Sequence, residues 1–289
     1  MKKLITEKQK NEIIDFYKSK PMSKNVLCEK YNLSLPTITK ILKDIPQYTK
    51  TQIFNPDIKE DYFENIDSQE KAYFLGLIIS DGNIYDPDGS SHTGSKWVSI
   101  TLDEKDSYML ELFKKCVGLS SKVAKDGRGS EYIAVRSTIM AKSLSKYGVV
   151  PRKSFLTYFP FNVDKKYYSH LMRGIIDGDG SIQAYFHYTP KDNRNRFKHS
   201  ISCCGTHRLM SDMVDIIKSI ISLHNDIKVY DYKNRSLSEF KITQINDMYE
   251  FGKWLYKDAK IFLIRKYENF QKFIEHYKLT PIEKISIDI

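Results

Sequence analysis

Residues 172–182 read MRGIIDGDGSI, an aliphatic run closed by two aspartates that alternate with two glycines. A weaker copy, FLGLIISDGNI, occupies residues 74–84. A metal loop, a tight turn and a helix end could each produce such a string. An EF-hand loop needs carboxylates at its first and twelfth positions around a glycine at its sixth. Placing Gly180 sixth puts Ile175 first and Phe186 twelfth, and neither can bind calcium, so that reading fails. An Asp-Gly turn accounts for the end of either string, but not for the residues before it. Gly76 and Ser80 are four apart, as are Gly174 and Gly178, which puts a stripe of small residues on one face of each helix. Glycine inside a helix costs about 1 kcal/mol relative to alanine, and close approach of two backbones is a reason to retain it. Helices packed along these stripes would bring Asp81 and Asp179 side by side.

They would meet at the carboxy-terminal ends, where free carbonyls already carry partial negative charge. Two carboxylates there are unfavourable alone and become favourable once a divalent cation binds. Mg²⁺, a hard ion, takes carboxylate, carbonyl and water oxygens. Asp81 and Asp179 are therefore the candidate metal ligands, one from each string.

The surrounding elements also come twice. A helix over 71–81, a strand near 83–85, the polar loop DPDGSSHTGSK, strand WVSITL, a helix over 107–117, a hairpin around KDGRGSEYIAVR and a helix over 138–147 form the first unit. A helix over 167–177, strand SIQAYFHY, the basic loop TPKDNRNR, strand FKHSISCC, a helix over 209–221, a hairpin around DYKNRS, strand EFKITQI and a helix over 246–256 form the second. One more helix is expected over 261–277. The key aspartates stand 98 residues apart, which points to two pseudo-symmetric halves rather than a solenoid. The predicted class is α+β: two αββαββα repeats with antiparallel sheets, at 70–150 and 167–289, joined by a linker at 151–166.

Residues 1–50 read as a separate module of three short helices. Thr6 with Gln9 makes a capping box for the first. Pro21 stops it, Ser23 caps the second, Asn32 and Leu33 turn the chain, and Ser34 or Leu35 opens the third, with Pro36 in its first turn. This is the helix-turn-helix pattern, and Thr37, Thr39, Lys40 and Lys43 on its third helix suit base edges and phosphates. The module carries 11 lysines against 5 acids, a net of +6. A linker of low periodicity follows at 51–69.

The whole chain, 289 residues with a formal charge of +10 and a pI near 9.1, favours a polyanionic partner. No long apolar run points to a membrane. Cys28, Cys116, Cys203 and Cys204 lack the CxxC spacing of a zinc site and read as reduced packing residues, the last two on opposite faces of one strand. The N-terminal MKKLITEKQK has no apolar segment of a secretory signal, so an intracellular protein is expected, in a bacterial or phage-infected cell. No Ser-His or Cys-His set suggests a protein nucleophile.

The two strings resemble the motifs of the LAGLIDADG homing endonucleases in their single-chain form, as FLGLIISDG at 74–82 and MRGIIDGDG at 172–180. PRKSFLTYFP and LIRKYENFQ are also similar to that family, and the resemblance covers roughly residues 70–275. It departs at Ile79, where the second copy has Asp177, and at Arg173, where a small residue is usual. The resemblance implies that Asp81 and Asp179 are metal ligands, joined by the carbonyls of Ser80 and Gly178. It implies a curved sheet from each repeat along the major groove of double-stranded DNA. Gln183, Tyr185, His187 and Ser200 would then be base readers, and Lys191, Arg194, Arg196 and Lys198 contacts from a basic hairpin loop. The first hairpin loop is acidic to neutral, so the half-sites would be held differently. A basic side chain near each scissile phosphate is implied too, and Arg136 and Lys241, each on the final hairpin strand of its repeat, are the candidates.

The expected activity is Mg²⁺-dependent, site-specific cleavage of both strands by a monomer on a long, asymmetric site, with Mn²⁺ substituting and Ca²⁺ binding without cleavage. A DNA-binding regulator that has lost catalysis and an RNA maturase remain alternatives. Retention of both aspartates counts against the first, and the N-terminal module counts against the second as a sole role.

Overall fold

A computed structural model describes residues 5–87, 96–153, 156–191, 193–233 and 236–282. It divides into two compact units. One comprises residues up to Lys59 together with Val117–Ser121, and the other holds Glu60–Cys116 and everything from Lys122 on.

The first unit opens with α1 (Glu7–Ser19), α2 (Lys24–Tyr31) and α3 (Leu35–Ile41). Thr6 and Gln9 form the expected capping box, and Asn32 ends α2 in the left-handed conformation that asparagine tolerates. Ile13, Tyr17, Met22, Leu27, Ile38 and Leu42 form the core of this unit. Thr39, Lys40 and Lys43 are exposed, while Thr37 is half-buried against the Ser34 hydroxyl at 2.8 Å. The stretch read as a linker of low periodicity at 51–69 holds most of a further short helix, α4 (Lys50–Phe54), because Thr49 and Gln52 form a second capping box. Asn55 accepts from the Ser120 hydroxyl at 2.7 Å and Lys59 N donates to Val117 O at 2.8 Å, which ties segment 117–121 to this unit.

The second unit contains both repeats, in the order α5 (Gln69–Asp81), β1 (Gly82–Tyr85), β2 (Trp97–Asp103), α6 (Tyr108–Val117), β3 (Ala124–Lys125), β4 (Ser130–Arg136), α7 (Thr138–Ser145), then α8 (Tyr168–Asp179), β5 (Gly180–Thr189), β6 (Arg194–Gly205), α9 (His207–Ile220), β7 (Val229–Asp231), β8 (Ser238–Ile242), α10 (Ile245–Tyr256) and α11 (Ile264–Tyr277). The sheets have the same antiparallel order, β1-β2-β4-β3 and β5-β6-β8-β7. Alternation assigns their faces. Ile84, Val98, Ile100, Ile133 and Val135 are buried on one side of the first sheet, as are Ile182, Ala184, Ile201, Cys203, Phe240 and Ile242 in the second. All four cysteines are free thiols, with Cys203 buried and Cys204 half-buried.

One reading changes. Half of the basic loop expected at 189–196 is strand: β5 pairs with β6 through Thr189 opposite Arg194, with turn residues at 190, 191 and 193. Aromatic and β-branched residues along this hairpin favour extended pairing over loop. Arg194, Arg196 and Lys198 therefore lie on β6, and only Lys191 lies in the turn. Residues 88–95 of the first hairpin loop lie outside the described residues.

Candidate metal centre and nucleic-acid face

α5 and α8 pack backbone to backbone. A β-carbon added at Gly76 would lie 2.1 Å from Leu171 O, and one at Gly174 would lie 2.1 Å from Tyr73 O. No larger residue fits either place. At the carboxy-terminal end, a β-carbon at Gly178 would sit 1.9 Å from the Ser80 hydroxyl and 3.0 Å from Asp81 Oδ2. Ser80 itself turns back onto Gly76 O and Leu77 O of its own helix. Each helix then passes into the first strand of its repeat at Gly82 or Gly180. The small-residue stripes thus bring Asp81 and Asp179 together, the last residues of their helices.

Asp81 is half-buried and Asp179 keeps an exposed edge. Burial, and then the charge of Asp179, push the Asp81 carboxyl up to about 6, against the opposing charges of Lys266, Lys153 and Arg265. Burial raises Asp179 as well, with Lys153 and Lys266 opposing it. Two crowded carboxylates at helix carboxy termini suit a hard divalent cation, whose charge relieves that crowding. Among the described residues no cluster of three or more His, Cys, Asp or Glu forms.

The cations around this pair come from PRKSFLTYFP and LIRKYENFQ, segments in which the sequence reading assigned no site residue. Lys153, in PRKS after the first repeat, is buried and donates to Ile79 O at 2.6 Å and Ser80 O at 3.0 Å. Lys266, in LIRK on α11, is buried and donates to Ile176 O and Asp177 O at 2.6 Å and to Gly180 O at 2.7 Å. Helix-terminal carbonyls have no intrahelical donor, and each lysine supplies one. Burial lowers the pKa of both ammonium groups. The Ser80 carbonyl, expected to face metal, is held by Lys153. Arg265, next to Lys266, is fixed by Asp106 at 2.9 Å.

The cations whose charges oppose the two carboxylates are Lys153, Lys266 and Arg265. Arg136 lies over the Trp97 ring at the far end of β4, and Lys241 is exposed on β8 opposite Ser202. The two departures within the strings are explained by burial. Arg173 donates to Ile261 O, to Leu255 O and toward His170, so its long side chain ties α8 to the α10–α11 connection. Asp177 accepts from Tyr73 Oη and Leu263 N, each at 2.8 Å, and is a buried structural acid.

Pairing register collects the proposed DNA contacts on one face of the second sheet. Gln183 stands opposite Ser200, Tyr185 opposite Lys198 and His187 opposite Arg196. Tyr185, His187, Lys191, Arg194, Arg196 and Lys198 are exposed; Gln183 is half-buried, and Ser200 is buried beneath it at 3.4 Å. The matching face of the first sheet shows Asn83, Tyr85, Trp97, Thr101, Tyr132 and Arg136.

The chain matches the meganuclease I-SmaMI bound to uncleaveable DNA with a TM-score of 0.54 at 15% identity, over 72% of this chain and 90% of that one. It matches the I-SmaMI LAGLIDADG homing endonuclease bound to cleaved DNA with a TM-score of 0.51 at 12% identity, over 74% and 91%. The fold is that of the LAGLIDADG homing endonucleases. No family model matches the sequence. A stretch of 117 residues is 26% identical to DNA-directed RNA polymerase subunit Rpo1C of Methanocaldococcus jannaschii, covering 39% of this chain and 13% of that protein. Within the LAGLIDADG fold, α5 and α8 are the paired motif helices, and the chain carries the two-repeat, single-chain form. No described helix is long and apolar enough to cross a membrane.

Proposed function

We propose that this protein is a site-specific endonuclease that cuts both strands of duplex DNA with the help of divalent metal, Mg²⁺ in the cell. The convergence of Asp81 and Asp179 at the paired helix ends carries this reading. Both would hold metal, with the Gly178 carbonyl and waters as further oxygen donors. Bound metal supplies a Lewis acid for phosphodiester hydrolysis. The protein's own groups position it: the glycine stripes set the separation of the acids, and Lys153 and Lys266 hold the helix ends that carry them. In each strand water adds to phosphorus, one phosphorus–oxygen bond breaks, and the departing oxygen takes up a proton. Gln183, Tyr185, His187, Arg194, Arg196 and Lys198 face the duplex from the second sheet, and Lys191 from its turn. Thr39, Lys40 and Lys43 of the N-terminal unit, with Thr37 behind them, extend the footprint. The protein acts as a monomer on an asymmetric site.

The test is selection from a diverse duplex pool with Ca²⁺ and then with Mg²⁺, sequencing the retained and the cut molecules. One retained motif, cut on both strands only with Mg²⁺, is expected. A motif bound but never cut would make the protein a DNA-binding regulator, and no retained motif would turn attention to RNA. Asp81→Asn and Asp179→Asn should each abolish double-strand cleavage while binding persists, and full activity in either would overturn the metal assignment.

A further inference from the structure

The connection from α10 into α11 is gripped from both repeats. Lys260 N donates to Gln69 Oε1 of α5 at 3.0 Å, and Arg173 of α8 donates to Ile261 O at 2.9 Å. Tyr108, the first residue of α6, donates to Phe262 O at 3.3 Å and accepts from Ile264 N at 2.7 Å. Between those two contacts Leu263 N donates to Asp177 Oδ2 of α8 at 2.8 Å. Asp106, buried just before α6, takes Arg265 Nε on both carboxylate oxygens, at 2.9 and 3.1 Å. Ile261, Phe262 and Leu263 are buried, which seats the segment between these grips. Leu263 gives α11 no side-chain cap, so the N–H groups that open this helix rely on Asp177 and Tyr108. The hold on α8 is reciprocal, because Lys266 returns to Ile176 O, Asp177 O and Gly180 O. A shift of segment 260–266 therefore displaces the end of α8 that carries Asp179, and with it the Arg265 charge that acts on Asp81.

Building on the nuclease reading above, we infer that Tyr108 and Asp106 are positioning residues: from the first repeat they hold segment 260–266, and through it the end of α8, in the geometry that cleavage needs. They act through the segment and not on DNA or metal. The place of the second acid is thus set in part by the first repeat, so loss of either grip disturbs the centre as a whole and slows both strands together. A displacement of about 1 Å that starts far from the reacting atoms can cost on the order of 100-fold in rate.

The experiment compares the full chain with Tyr108→Phe, which removes only the hydroxyl, with Asp106→Asn, which keeps the shape and loses the charge, and with Asp247→Asn. Asp247 is a buried acid of the second repeat that holds His224 N at 2.8 Å and Asn225 N at 3.2 Å, outside these contacts, and serves as the control for simple loss of stability. The first readout is amide hydrogen exchange without DNA or metal. Tyr108→Phe and Asp106→Asn should each speed exchange over 260–266 and at the end of α8 by about 10-fold or more. Asp247→Asn should speed it at 224–225 and leave 260–266 as in the wild type. The second readout is cleavage of a target bound beforehand, begun with Mg²⁺, with a different label on each strand. Tyr108→Phe and Asp106→Asn should slow both strands by about 10-fold or more at unchanged target affinity. Asp247→Asn, assayed below its Tm, should cut at the wild-type rate. Wild-type protection of 260–266 in both grip variants, weaker affinity with an unchanged cleavage rate, or equal slowing by Asp247→Asn would overturn the assignment. If the wild type cuts no DNA, the nuclease reading fails, and the exchange comparison still decides whether the first repeat holds the segment and the end of α8.

Discussion

At the scale of single residues, the crowding of the acid pair makes stability depend on pH. Asp81 titrates near 6 in the folded protein because burial and Asp179 oppose its charge, against about 3.8 for the unconstrained side chain. The folded state therefore binds a proton that the unfolded state has already released between these values, so stability falls as pH rises through that window. Metal-free protein should be more resistant to urea at pH 5 than at pH 7, other groups that titrate in this range being matched by comparison with Asp81→Asn. That variant should lose most of the pH slope and gain on the order of 1 kcal/mol at pH 7, discounted for the partial exposure of the carboxyl. Urea midpoints at the two pH values check this, and a less stable Asp81→Asn would contradict it. The aspartates were legible in the sequence because the same apolar string delivers each of them at its end. Lys153 and Lys266 were not, although both follow an arginine in the short segments PRKS and LIRK. Their partners are backbone carbonyls, which leave no trace in residue types, and they stand among 46 basic residues. Arg173 was legible only as an anomaly, since its carbonyl acceptors lie more than 80 residues away.

At the scale of elements, the contact between α5 and α8 decides whether a centre exists. Alanine at Gly76 places its β-carbon 2.1 Å from the carbonyl of Leu171, and at Gly174 the same change meets Tyr73 O at 2.1 Å. Backbone cannot yield as the tip of a side chain can, so the helices must separate. Gly76→Ala and Gly174→Ala should each cost about 3 kcal/mol or more, beyond the usual range for overpacking, and cleavage should fall with them. Gly127 offers a contrast, with φ near +75° and nothing within 4 Å of an added β-carbon, so Gly127→Ala should cost only about 1 kcal/mol from backbone strain. Chemical denaturation of the three variants ranks them, and equal losses would show that the helix contact is not what the glycines protect. Sequence periodicity located these helices to within two or three residues because each is apolar along nearly its whole length. It failed for the 189–196 segment, where basic residues that read as loop alternate across a paired hairpin. It also passed over α4, whose five residues are too short for a periodic signal and depend on the Thr49 cap.

At the scale of the whole molecule, the two sheets expose different chemistry, which the proposed function would turn toward DNA. The exposed face of the second sheet carries Arg194, Arg196 and Lys198, with Lys241 on the neighbouring strand, while the first sheet carries Tyr85, Trp97 and Tyr132 around Arg136. Phosphate contacts release counterions, and each one lost should reduce the slope of log affinity against log salt by about one. Aromatic contacts carry no such signature. Replacing Arg194, Arg196 or Lys198 by alanine should therefore weaken binding and flatten the salt dependence. Tyr85→Ala or Tyr132→Ala should weaken binding at every salt concentration with the slope unchanged. Half-site duplexes sharpen the comparison: the half matched to the second repeat should bind more tightly at low salt and lose that advantage as salt rises. Removing residues 1–49 should lower affinity for the full site and reduce the slope further, since that segment carries 10 lysines against 5 acids, without changing which phosphodiesters are cut. Binding isotherms between low and physiological salt decide all of these. Equal slopes for the two half-sites would mean that the duplex is gripped symmetrically in spite of the unequal faces.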